Sequence, residues 1–154
     1  MNAQTREHLL QALHGEAFAY ARYMLFAEQA RRNGRVALAE LFERTAHTER
    51  FEHFAEEAEL AELVATDDEN LRVAIEGEAY EVATMYAAFA EQARQAGDMA
   101  AAERFTEIRQ DEAIHLAEFR QALEQLQQGA KDITPTYAAT TPEASVPTAP
   151  SSPQ

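Results

Sequence analysis

Apolar residues recur at helical spacing from the first turns of the chain to Leu126, set among Ala, Glu, Leu, Gln and Arg, all strong helix formers. Glycines punctuate the pattern: Gly34 in RRNGRV and Gly97 in RQAGDM are placed as helix-ending turns. Thr66-Asp67-Asp68-Glu69 has the spacing of a capping box, which starts a helix. The pattern predicts four helices, about 3–32, 36–65, 67–96 and 98–127. Helices this long suit an all-α bundle. Gly129 then acts as a stop. Residues 129–154 hold all five prolines with many Thr, Ser and Ala, and bury too little apolar area to order themselves. The expected organisation is a helical domain over 1–128 and a disordered tail over 129–154.

The helical part is written twice. FAEQAR at Phe26–Arg31 returns at Phe89–Arg94, an offset of 63. The same offset links Gly34 to Gly97, Phe42 to Phe105 and Glu49 to Glu112. HGEAFAY and EGEAYEV match at 62, as do His53–Glu56 and His115–Glu118. One helical hairpin followed by its copy predicts a bundle with pseudo-twofold symmetry, and two copies are too few for a solenoid.

Composition narrows the function. With 154 residues and 46% hydrophobic content, the chain can hold one domain with a core. None of its residues is cysteine, which removes disulfides, thiolate zinc sites, iron–sulfur clusters and thiol nucleophiles. A formal net charge of −14 argues against nucleic acid, whose phosphates would be repelled. The N-terminal residues lack the apolar core of a signal peptide, and no window approaches the length of a membrane span. The expected location is the cytoplasm, with no membrane partner.

Some of the acids are not placed for solvent. Glu78 and Glu81 share one helix face, three residues apart, as do Glu112 and His115. In the first hairpin Glu16 takes the place of Glu78 and Glu49 that of Glu112. Their neighbours are Phe18, Phe42, Phe51, Ile75, Phe105 and Ile114. Crowded carboxylates among apolar side chains need a cation, and oxygen ligands mixed with imidazole suit iron or manganese. A lone Glu-x-x-His on an acidic helix is weak; the matched set in two hairpins carries the inference. His8, His14 and His47 repeat nowhere and read as surface residues. Met24, Met85, Phe26 and Phe89, at helical spacing, are expected in the core.

GEAFAYARY, TAHTERFEH, GEAYEVATMY and FTEIRQDEAIH together resemble the di-iron domain of the rubrerythrin family, through all four helices. The resemblance implies a ferritin-like four-helix bundle holding two iron ions, with manganese or a mixed pair fitting the same ligands. It implies Glu16 and Glu81 as terminal ligands of one metal and Glu78 and His115 of the other. Glu49 and Glu112 would bridge, and Tyr23 and Tyr86 would hydrogen-bond ligand carboxylates. The implied activity is reduction of hydrogen peroxide to water. The alternatives are a ferroxidase using O₂ or an interaction protein acting through residues 130–154. Family members with a rubredoxin-like domain need cysteines for it, so an external electron-donor protein is expected here.

Two departures follow. Helix 2 reads Glu49-Arg-Phe-Glu52-His53, with Glu52 where the resemblance places the histidine. On an unbroken α-helix Glu52 faces the metals; with one residue inserted as a π-bulge, His53 does. The repeat favours the bulge, because the offset falls from 63 at Glu49 to 62 at His53. The second departure is the join between helices 2 and 3, which in a ferritin-like bundle runs the bundle's length. Helices reaching 65 and starting at 67 leave about 40 Å for a few residues of about 3.5 Å each. Either helix 2 stops early, near Glu57, or helices 1–2 of one chain pack with helices 3–4 of another. The helix formers in AEEAELAEL favour the second, a domain-swapped homodimer.

Overall fold

The chain is described here by a computed structural model, over residues 1–134. Every regular element among the described residues is helical. α1 spans Ala3–Arg32, α2 Val36–Thr48, α3 Phe54–Leu60, α4 Asp67–Tyr80, α5 Tyr86–Ala96 and α6 Met99–Gln127. Short π-helical segments, Glu49–His53 and Glu81–Met85, join α2 to α3 and α4 to α5 without breaking the rod. Among the described residues no helix is long and apolar enough to cross a membrane.

Two compact units result, the first Met1–Thr66 and the second from Asp67 on. Each is an antiparallel hairpin closed at a glycine. Gly34 and Gly97 sit at φ +71° and +84°, where a side chain would be strained, and both turns return a backbone N–H to the helix just ended. At the start of α1, Asn2 accepts from the Thr5 N–H at 2.8 Å.

The residues buried along the hairpins are alanines with Leu13 and Leu116. Small side chains let paired helices approach closely. The large aromatics stack at the rim instead, in matched sets: Tyr23 and Phe26 with Phe42, and Tyr86 and Phe89 with Phe105. Phe26, Phe89 and Met24, expected in the core, are 44%, 42% and 37% exposed.

Two boundaries differ from the sequence reading. The third rod is not one α-helix over 67–96 but is widened at Glu81–Met85. The second ends at Leu60 rather than 65. Ala61 is buried against Leu13, with Leu9 and Phe54 beside them, and Arg6 donates to its carbonyl at 3.4 Å. Leu63 N–H then closes on the Ala58 carbonyl at 2.9 Å, which puts Glu62 at φ +52°. An L-residue there costs roughly 1–2 kcal/mol, and its negative charge sits at the wrong end of a helix dipole. Glu62→Gly is therefore expected to stabilise the fold by about 1 kcal/mol, read as a higher urea midpoint. A lower midpoint would show that the turn is held by the Glu62 side chain.

α6 ends before Gly129, as the glycine suggested, and Gln125 then holds Thr134 through two hydrogen bonds of 2.7 and 3.3 Å. Of the tail expected over 129–154, residues 135–154 lie outside the described residues.

Candidate metal centre

Each hairpin gathers two carboxylates and an imidazole. Glu16 on α1 meets Glu49 and His53 of the first π-helical segment; Glu78 on α4 meets Glu112 and His115 on α6. Within each trio one potential ligand atom per residue lies within 4.8 Å of the others.

The local backbone explains how different spacings give the same trio. His115 stands three residues after Glu112 on a regular α-helix, and its Nδ1 lies 2.6 Å from Glu112 Oε2. His53 stands four residues after Glu49, a step that on an α-helix carries it to a different part of the face. The π-helical segment absorbs the extra residue, with Phe54 N–H bonding to the Glu49 carbonyl, and His53 Nδ1 lies 2.8 Å from Glu49 Oε2. The same nitrogens lie 3.9 Å from Glu16 and 3.8 Å from Glu78. Glu52 is exposed and stands outside the trio.

The carboxylates are under strain of charge. Burial, then a side-chain hydrogen bond with Glu49 and its charge, hold Glu16 above the usual carboxylate range. Glu78 is raised in the same way by burial and by Glu112, with a further push from Glu81. Glu78 Oε2 is buried with no hydrogen-bond partner among the described residues. A hard cation would relieve both features: it neutralises the clustered acids and occupies the orphaned lone pair. The donor set therefore fits a metal of the iron or manganese type.

A pH dependence follows for the metal-free protein. Glu16 and Glu78 are raised in the fold, so their contribution is full below the unfolded carboxyl value and lost as pH rises through the folded one. His53 is raised too, chiefly by its hydrogen bond to Glu49, and its contribution is likewise lost as pH climbs above its ordinary value of 6.5. All three act in one direction. The thermal midpoint of EDTA-stripped protein is expected to fall between about pH 5 and about pH 8. A midpoint that rises over that range would contradict the upward shifts of Glu16, Glu78 and His53.

The other residues singled out by sequence take different places. Glu81 opens the second π-helical segment, half-buried, outside the trio but near enough for its charge to act on Glu78 and Tyr86. The Tyr86 hydroxyl is pushed up by burial and by the charges of Glu81, Glu112 and Glu78, so it stays protonated beside them. Tyr23 is half-buried against Phe26 and Phe42. His8, His14 and His47 are exposed and belong to neither trio. Sequence reasoning passed over Arg109, whose Nε donates to the Val82 carbonyl at 2.7 Å.

A family model described as rubrerythrin matches residues 7–123. The chain is 34% identical over 140 residues to a rubrerythrin of Porphyromonas gingivalis, covering 83% of this chain and 70% of that one. It is 36% identical over 124 residues to the nigerythrin of Nitratidesulfovibrio vulgaris, covering 72% of this chain and 61% of that one. A solved structure of partially reduced nigerythrin aligns at a TM-score of 0.42 with 32% identity, covering 82% of this chain and 69% of that chain.

Proposed function

Because this chain belongs to the rubrerythrin family of ferritin-like di-iron proteins, we propose that it is an oxidoreductase that reduces hydrogen peroxide to water with electrons from a separate donor protein. The observation that carries the reading is the matched pair of trios, Glu16/Glu49/His53 and Glu78/Glu112/His115. Together with Glu81 they would hold two iron ions: Glu16 and Glu81 on one, Glu78 and His115 on the other, Glu49 and Glu112 shared. His53, not Glu52, is the imidazole of the first trio, and a manganese or mixed pair would use the same atoms. Bound there, two ferrous ions would supply the two electrons that cleave the O–O bond.

The chain's own side chains do the rest. Glu49 and Glu112 lie 2.8 and 2.6 Å from Nδ1 of His53 and His115, which turns that edge of each ring toward the carboxylates of its trio. Tyr86, kept as a neutral O–H, is a hydrogen-bond donor for the carboxylates around it. Phe42 packs on Tyr23 and Phe105 on Tyr86, with ring centroids 6.2 and 6.1 Å apart, which holds the two tyrosine rings in place. In this reading the electrons come from another protein, because these 154 residues contain no cysteine to hold a rubredoxin-type iron.

The test is anaerobic loading with ferrous iron, then stopped-flow mixing against peroxide and, separately, oxygen, following near-ultraviolet absorption. Oxidation by peroxide is expected to be faster by at least about tenfold. Faster oxidation by oxygen would contradict the peroxidase and make the protein a ferroxidase.

The working unit in this proposal is a domain-swapped homodimer. α3 ends eleven residues past Glu49 and α4 starts eleven residues before Glu78. In a ferritin-like bundle those two ends stand at opposite ends of the helices, about 33 Å apart at 1.5 Å per residue. The six residues 61–66 between them span at most about 25 Å. A second chain removes the difficulty: helices 1–2 of one complete helices 3–4 of the other. The exposed Phe18, Leu25, Phe51, Val73 and Tyr80 are surface that such pairing would cover. Light scattering is expected to give twice the chain mass, and a compact monomer would overturn the swap.

A further inference from the structure

The two hairpins differ in three linked ways. At the position of Glu81 the first hairpin has Ala19, 62 residues earlier. α1 runs unbroken through Arg32, whereas its copy carries one residue more and widens at Glu81–Met85. At the position of Arg109 the first hairpin has Ala46, 63 residues earlier and fully buried. The third carboxylate, the extra residue and the arginine occur together or not at all.

Backbone accounting connects them. In the widened turn Tyr86 N–H bonds to the Glu81 carbonyl, five residues back. On an α-helix that N–H would go to Val82, so the Val82 carbonyl is the acceptor its usual donor has left. Arg109 reaches across from α6 and donates Nε–H to it at 2.7 Å. A guanidinium is suited to this. It is charged at every pH, and a charge-assisted bond to a carbonyl is stronger than a neutral one.

From this geometry we propose that Arg109 is a positioning residue that pins the π-helical turn and, through the peptide next to it, sets Glu81 beside Glu78 and Tyr86. The Glu81 part rests on the two-metal reading above; the pinning of the turn does not. Without Arg109 the Val82 carbonyl has lost both its helical donor and the bond that replaced it, and the widened turn is less firmly held. Glu81 then loses the orientation in which its charge acts on Glu78 and Tyr86.

Two readouts on the full chain decide it. In metal-free protein, hydrogen exchange at the amides of residues 82–87 is expected to rise about tenfold in Arg109→Leu, with no change at residues 49–54, the other π-helical segment. Arg109→Lys keeps a cationic donor and is expected to stay within about threefold of wild type. Unchanged exchange at 82–87 in Arg109→Leu, or an equal rise in both segments, would overturn the pinning. The second readout is a Mn²⁺ titration on a double-mutant cycle. Arg109→Leu is expected to weaken binding about tenfold beside Glu81 and less than about twofold in a Glu81→Gln background. Losses that simply add would mean Arg109 does not act through Glu81. A wild-type chain that takes up no Mn²⁺ would sink the two-metal reading and the coupling to Glu81 with it, while the exchange result would judge the pinning by itself.

Discussion

Glu112→Ala is expected to lose tight binding of both metals, by more than about a hundredfold each, and to bring peroxide turnover to background. The reason is the number of neighbours that depend on this one carboxylate. It hydrogen-bonds His115 at 2.6 Å, pairs with Glu78 and adds its charge to the surroundings of Tyr86. In the proposed centre it also touches both metals. The metal-free fold should respond in the opposite direction. Glu112 is one of the causes that push Glu78 up, so removing it relieves repulsion, and the thermal midpoint at pH 8 should rise. Opposed effects on stability and binding mark a residue placed for its site rather than its fold. Anaerobic metal titration beside a melting curve checks both signs. A variant that still takes up two metals would remove Glu112 from the centre.

His53→Ala is the second large effect, with a loss of metal affinity of about a hundredfold, while Glu52→Ala should change it less than about threefold. The contrast tests the π-helical segment directly. On an unbroken α-helix the order would reverse, with Glu52 facing Glu16 and His53 turned aside. A sharper variant deletes Glu52. That leaves Glu-Arg-Phe-His, the three-residue spacing of Glu112 and His115, on a segment no longer obliged to widen. The deletion is expected to keep metal uptake, because the shortened helix brings the histidine back to the same face. Loss of uptake in the deletion, with Glu52→Ala unaffected, would show that the widened turn does more than set the register.

The helices, their glycine turns and the two trios were legible in the sequence because they depend on local pattern and on repetition. The repeat also carried the first bulge, in the drop of the offset from 63 at Glu49 to 62 at His53. It carried the second as well. Between Gly15/Gly77 and Phe26/Phe89 the offset climbs from 62 to 63, one extra residue where the structure widens at Glu81–Met85. That jump went unread because no ligand beyond it had to be placed. In helix 2 the two candidate ligands Glu52 and His53 forced the question.

What escaped depends on contacts far apart in the chain. AEEAELAEL has every propensity to continue as helix, but Ala61 is buried against Leu13, and Arg6, 55 residues earlier, meets its carbonyl. Phe26 and Phe89 read as core by spacing, yet the buried face of each hairpin belongs to alanines, and the rings stack at its margin. Arg109 is an exposed base on an acidic helix, which by composition alone is a solvated charge. Its partner is the carbonyl left over by the widened turn, which no local pattern announces.

The central claim is that the two trios together hold two metal ions. Titrating EDTA-stripped protein anaerobically with Fe²⁺, while following proton release, tests it most directly. The account predicts two ions per chain, with protons released as the metals displace them from the raised groups Glu16, Glu78 and His53. No tight uptake, or uptake without proton release, would contradict it.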